Sequence, residues 1–285
     1  MTETTIAIAF AFLFGLCAGS FLNVCMSRWP ADLRVVRPGS RCPNCGHPLA
    51  WFENIPVLSW LALRARCRSC RERILAIYPL AEIGVGLVWA LCVVAFGPTF
   101  TALRLAIVAT ILIGVALTDL AHYLIPDGYT ITGLLFAIVT AFAAPFVGES
   151  VIFAGPYDAV VGACAGAGLI AIIGWLGEVA LKQEAMGMGD MTLMAFVGAL
   201  LGPSRALATI FLAAALGAVI FLAVVYPVTW RRRARAMPQG ELALDGGDAS
   251  GPLKLPLVPF GVFLAPAGLL MLLWGDALLA RVFPM

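Results

Sequence analysis

The chain has 285 residues, 62% of them hydrophobic and 12% charged, with a mean hydropathy of +0.98. This composition excludes a soluble globular domain, and several runs approach the roughly 20 apolar residues that cross a bilayer. The net charge of +2 says little, but nine arginines fall between Arg28 and Arg73 and four more lie at Arg231, Arg232, Arg233 and Arg235.

In chain order, the apolar runs predict membrane spans at 6–24, 80–96, 103–118, 129–147, 159–181, 191–201, 206–229 and 257–279. The expected fold is therefore an all-α polytopic membrane protein with about eight transmembrane helices. No basic region precedes the first run, so it reads as a span rather than a cleaved signal peptide. The arginine-rich segment follows it at once, and the positive-inside rule places that segment in the cytoplasm and the N-terminus outside. Alternation puts the connections near 119–128, 182–190 and 230–256 on the cytoplasmic side, where the second arginine cluster falls. The weakest span is 191–201, which is short and stops at Gly202-Pro203. Three regions follow: a first transmembrane helix (1–25), a cytoplasmic, cysteine-bearing region (26–79) and a membrane bundle (80–285).

Within 26–79 stand Cys42-Pro-Asn-Cys45 and, after 21 intervening residues, Cys67-Arg-Ser-Cys70. Two facing CxxC knuckles supply four thiolates to one tetrahedral ion, the pattern of a structural zinc ribbon, and a reducing cytoplasm argues against two disulfides. An iron–sulfur cluster is the competing occupant. Arg41, Arg66, Arg68 and Arg71 crowd the knuckles and favour thiolate. His47 reads as a surface residue rather than a fifth ligand. Cys17, Cys25, Cys92 and Cys164 lie in or beside spans and read as small apolar residues.

Two carboxylates stand out against the apolar background. Asp119 lies near the end of an uninterrupted apolar helix, where the helix dipole disfavours an anion. Asp190, in Gly187-Met-Gly189-Asp190, opens the short span. A charge carried into a bilayer costs roughly 2.5–3.5 kcal/mol on insertion scales, which makes such residues candidates for function. The competing reading of Asp190 is a helix N-cap, while Gly187 and Gly189 suggest positive φ or close approach of another chain. Asp127, between Pro126 and Gly128, fits a turn or helix start. Both Asp119 and Asp190 fall on one membrane face. Two carboxylates meeting there cannot both ionise easily, and a pair holding one proton can activate water while protonating a departing amide nitrogen.

These residues carry a resemblance to type IV prepilin leader peptidases. The GxGD signature is Gly187-Met-Gly189-Asp190, and its partner is Asp119 ahead of Ile125-Pro126-Asp127. Further likeness lies in Gly19-Ser-Phe-Leu-Asn-Val24, Trp51 to Trp60, Tyr78-Pro-Leu-Ala-Glu82 and Pro259-Phe-Gly-Val-Phe-Leu264. The resemblance implies Asp119 and Asp190 as the catalytic pair, supported by Gly187, Gly189 and Asp127, with Cys42, Cys45, Cys67 and Cys70 as ligands of a structural Zn2+. It implies an inner-membrane enzyme that removes the basic leader of a prepilin or pseudopilin. It also implies methylation of the new N-terminus with S-adenosylmethionine. No glycine-rich fingerprint marks a methyl-donor site; Glu53, Asn54 and the arginines near the knuckles are its candidates. Glu53 or Glu82 could attract the basic leader. Membrane lipid and the pilin substrate are the expected partners, and nucleic acid is not.

Two rivals come from other classes. Paired membrane carboxylates also build proton-coupled transporters, but those use midplane sites and inverted repeats, and none is visible here. A non-catalytic zinc-ribbon assembly factor leaves Asp119 without a purpose.

Overall fold

A computed structural model describes residues 3–147, 152–182, 186–227 and 259–282. Glu149, Ala185, the Arg231–Arg235 cluster and the 236–256 loop lie outside them. The described residues form nine α-helices: α1 (Glu3–Arg28), α2 (Leu58–Ala62), α3 (Ile77–Phe96), α4 (Phe100–His122), α5 (Asp127–Val147), α6 (Pro156–Leu181), α7 (Met188–Leu201), α8 (Pro203–Ile220) and α9 (Gly261–Val282). Helices are the natural outcome, because a chain in hydrocarbon must satisfy its backbone N–H and C=O groups internally. Seven helices are long and apolar enough to cross a membrane, and α7 supplies a shorter eighth. A single π turn, Phe221–Val225, extends α8. The all-helical polytopic fold is therefore as expected. Its helices generally begin earlier than the hydropathy runs because their first turns are polar or cap-forming, as where the Thr99 hydroxyl accepts the Ala102 N–H at 3.3 Å to start α4.

The helices run alternately up and down, so one end of the bundle collects the segment 29–76, the α4–α5 turn, the start of α7 and the start of α9. Local contacts fix this arrangement. Gly128, in the first turn of α5, packs against the ring of Trp29 at the end of α1, and that ring stands edge-on to Tyr129 with centroids 4.4 Å apart.

Glycines decide which helices touch. On α1 a Cβ at Gly15 would lie 2.7 Å from Gly86 Cα, and one at Gly19 would lie 2.7 Å from Glu82 Cα, so α1 and α3 meet backbone to backbone. This is the small-xxx-small packing that replaces hydrophobic drive between helices in lipid. The same device joins α6 to α7, where Gly162 abuts the Gly198 carbonyl and Gly166 the Met194 carbonyl. Gly168, in the same glycine run, meets nothing within 4 Å.

α7 spans only roughly 21 Å at 1.5 Å per residue, short of the roughly 30 Å of a hydrocarbon core. Its shortness is tolerable because it faces protein. Residues 196–201 are nearly inaccessible, enclosed by α5, α6, α8 and α9. Gly202, at φ +78°, turns the chain directly into Pro203 at the start of α8.

The segment between α1 and α3 holds two copies of one knuckle. Adding 25 to each number of the first gives the second: Cys42/Cys67, Cys45/Cys70, Gly46/Arg71 and Pro48/Arg73. In the first, the Cys42 N–H donates to the His47 carbonyl (2.9 Å) and the Gly46 N–H to the Cys42 carbonyl (2.9 Å). In the second, the Cys67 N–H donates to the Glu72 carbonyl (2.8 Å) and the Arg71 N–H to the Cys67 carbonyl (3.1 Å). Isolated bridges Arg41–Pro48 and Arg66–Arg73 close each copy.

Candidate active site and metal centre

The knuckles bring four sulfurs together. The Sγ atoms of Cys42, Cys45, Cys67 and Cys70 all lie within 4.8 Å of one another, with Cys42–Cys70 at 3.8 Å and Cys45–Cys67 at 4.0 Å. A tetrahedral ion with metal–sulfur bonds of about 2.3 Å sets its ligand sulfurs about 3.8 Å apart, so the group fits one such ion. The separations are also too long for disulfides. His47 belongs to the surroundings: its Nε2 faces Glu53 Oε2 at 3.3 Å. Glu53 is itself buried, accepting the Ala50 N–H at 2.8 Å. That N–H, with His47 and Arg68 nearby, holds the Glu53 carboxyl below the usual carboxylate range.

At the same end of the bundle, α4 and α7 bring Asp119 and Asp190 into one neighbourhood, since Ile125 packs both against Gly189, next to Asp190, and against Gly261, which abuts Asp119 Oδ2. Asp119 lies one turn from the end of α4, which closes at Tyr123 in the left-handed region (φ +54°). Asp119 as a residue is 4% exposed, and its Oδ2 accepts the Val262 N–H at 3.2 Å. The donor comes from the first turn of α9, 143 residues away in sequence, where free N–H groups point out of the helix. Asp190 is the third residue of α7, half-buried, with its N–H on the Gly187 carbonyl at 3.2 Å.

This corrects two expectations. Gly187 occupies the N-cap, so Asp190 is not the cap residue; and Gly187 has φ −77°, with neither Gly187 nor Gly189 at positive φ. Close approach explains Gly189, where a Cβ would lie 2.9 Å from Ile125 Cβ and 3.1 Å from the Ile125 carbonyl. Asp127 is exposed in the first turn of α5.

Sequence reasoning quoted Ile125 and Gly261 only as parts of motifs and missed that they join these parts. Ile125 is a wedge, its β-carbon against Gly189 and its side-chain tip against Gly261. Gly261 lets the start of α9 reach Asp119, since a Cβ there would come within 2.8 Å of both Asp119 Oδ2 and Ile125 Cδ1. The available signal was a glycine in the opening turn of the last apolar run. Glu82, whose purpose was open, is buried in α3 and accepts the Val57 N–H at 2.7 Å, with Ser20 and Asn23 beside it.

An acid pair carried on separate helices at one end of a polytopic bundle is the layout of a membrane-embedded aspartyl site. The Bacterial Peptidase A24 N-terminal domain matches residues 13–96, and the Type IV leader peptidase family matches residues 106–222. The chain is 35% identical to a prepilin leader peptidase/N-methyltransferase of Myxococcus xanthus, over 96% of this chain and 92% of that protein. Relatives of the same name from Aeromonas hydrophila (32%, covering 94% and 90%) and Burkholderia pseudomallei (34%, covering 95% and 87%) match similarly. The chain belongs to the type IV leader peptidase family. No solved structure matches.

Proposed function

We propose that this protein cleaves the leader peptide from prepilins or pseudopilins and methylates the N-terminus so released. The observation that carries the cleavage half is the meeting of Asp119 and Asp190 at one end of the bundle. Two carboxylates so placed share one proton. The ionised member takes a proton from water as the water oxygen attacks the scissile carbonyl. The protonated member delivers its proton to the amide nitrogen as the C–N bond breaks, which returns the pair to its starting charge. The Val262 N–H fixes the orientation of Asp119 through this cycle. Exposed apolar side chains around the pair, among them Leu120, Leu124 and Met188, suit a substrate whose apolar helix stays in lipid while its scissile bond lies at the boundary.

In the same reading the bundle sits in the bacterial inner membrane, with the pair and the knuckles facing the cytoplasm and the N-terminus outside. The nine arginines from Arg28 to Arg73 support this orientation. Cys42, Cys45, Cys67 and Cys70 hold zinc; four protein ligands leave no open position, which gives the ion a structural role. An S-adenosylmethionine donor supplies an electrophilic methyl group for the second half of the activity. The proposed organisation keeps a first helix to residue 25, a zinc-binding region over 26–79 and the peptidase bundle from 80 onward.

The test is co-expression with a precursor pilin, followed by mass measurement of the pilin N-terminus. Wild-type protein should yield a shortened, methylated chain. The cleavage reading fails if Asp119→Asn and Asp190→Asn each process it fully. A proton-coupled transporter shows no processing even in the unmutated protein.

A further inference from the structure

The knuckle segment does not sit flush on the helices. Between it and the α1–α3 pair lies a cavity of about 380 Å³, within the range of roughly 300–1,000 Å³ typical of small-molecule sites. It is separate from the aspartate pair, none of whose residues line it.

Its floor contains Glu82, 8% exposed and six residues into a membrane helix. Its hydrogen-bond donor is neutral, the Val57 N–H at 2.7 Å, and the polar residues beside it, Ser20 and Asn23, are neutral too. Among the described residues no Lys, Arg or His forms an ion pair with it. Glu53, the other buried acid of the cavity, differs in having His47 and Arg68 beside it. A carboxylate withdrawn from water and without a counter-cation attracts a positively charged occupant. The rest of the lining is mixed. Val24, Val57, Trp60 and Leu63 give an apolar wall, and Arg28, Arg41, Arg68 and Arg73 belong to the same lining.

We propose that this cavity is the methyl-donor site, taking an S-adenosylmethionine-class sulfonium with Glu82 facing its positive charge. The ligand fits the lining part by part. Its adenosine suits the apolar wall, its cationic centre the uncompensated acid, and its carboxylate the arginines. The inference rests on the reading that the chain transfers methyl groups as well as cutting the leader.

The experiment is calorimetric titration of the full-length, zinc-loaded protein in lipid nanodiscs. S-adenosylmethionine is compared with S-adenosylhomocysteine, the neutral thioether that lacks the sulfonium charge. Glu82→Gln should weaken S-adenosylmethionine by at least about tenfold, and the thioether markedly less, because only the sulfonium loses a charge partner. Ser27→Trp, at an exposed position of the lining, should weaken both ligands. Variants are compared at wild-type zinc content and melting temperature; if Glu82→Gln fails that standard, Ser27→Trp decides. Wild-type affinity for S-adenosylmethionine in the qualifying variants overturns the site. Equal weakening of both ligands by Glu82→Gln overturns the charge contact. If the unmutated protein binds neither ligand, the methyl-transfer reading itself is at fault, whereas leader cleavage is judged separately by the pilin assay.

Discussion

Replacing Gly261 by alanine tests whether the last helix sets the position of Asp119. The new methyl carbon would sit 2.8 Å from Asp119 Oδ2 and 2.8 Å from Ile125 Cδ1. Ordinary contact requires distances about half an ångström or more longer, since carbon pairs rest at roughly 3.5–4.0 Å. The carboxylate and the start of α9 must therefore separate, and the 3.2 Å hydrogen bond from Val262 is the first contact to go. A hydrogen bond to an ionised group is worth roughly 1.5–3 kcal/mol. At about 1.36 kcal/mol per decade of rate, its loss lowers kcat/KM by roughly 10- to 150-fold. Overpacking also costs about 1–3 kcal/mol of stability, so rates are compared at a temperature where both proteins are folded. The assay is the initial rate of precursor-pilin shortening by purified protein in detergent. Gly84→Ala is the control, because a Cβ at Gly84 meets nothing within 4 Å. Cleavage by folded Gly261→Ala within about twofold of wild type, a loss of under 0.5 kcal/mol, would refute the claim that α9 positions Asp119.

Other substitutions probe the remaining contacts. Asp119→Asn and Asp190→Asn should each lower cleavage at least roughly a thousandfold while the chain still inserts and melts cooperatively, because each removes the proton-sharing function of the pair. Elemental analysis should find about one zinc per chain in the wild-type protein and essentially none in Cys42→Ser, since three thiolates no longer close the tetrahedron. Gly166→Val should destabilise the bundle by more than about 3 kcal/mol in reversible unfolding, because its side chain would enter the Met194 carbonyl. Gly168→Ala, two residues on, should be neutral or slightly stabilising in the same measurement, as nothing lies within 4 Å of the added carbon.

The sequence disclosed these features unevenly, and the reasons are physical. Helix count and alternation were legible because lipid imposes length and hydropathy on each span separately, which a local window can read. The four cysteines were legible because metal ligation fixes residue type and spacing within each knuckle. Asp119 announced itself as a charge where neither capping nor solvent explains one. What stayed hidden is pairwise and distant. Nothing local says that Gly15 and Gly19 face Gly86 and Glu82, or that the Val262 N–H meets a carboxylate 143 residues earlier. Glycine was read as a backbone signal at 187 and 189, whereas Gly189 serves by leaving room for Ile125. The extent of α7 was also misjudged. It starts at Met188, three residues before the apolar run, because its first turn carries Gly189 and Asp190, which a hydropathy window leaves out.

The reach of α9 to Asp119 has a consequence for biogenesis. A nascent chain that has threaded everything through α8 already carries both acids, yet the N–H that orients one of them has still to be synthesised. On this arrangement full hydrolytic rate arrives only once α9 has inserted, and copies still lacking it at the translocon cut slowly.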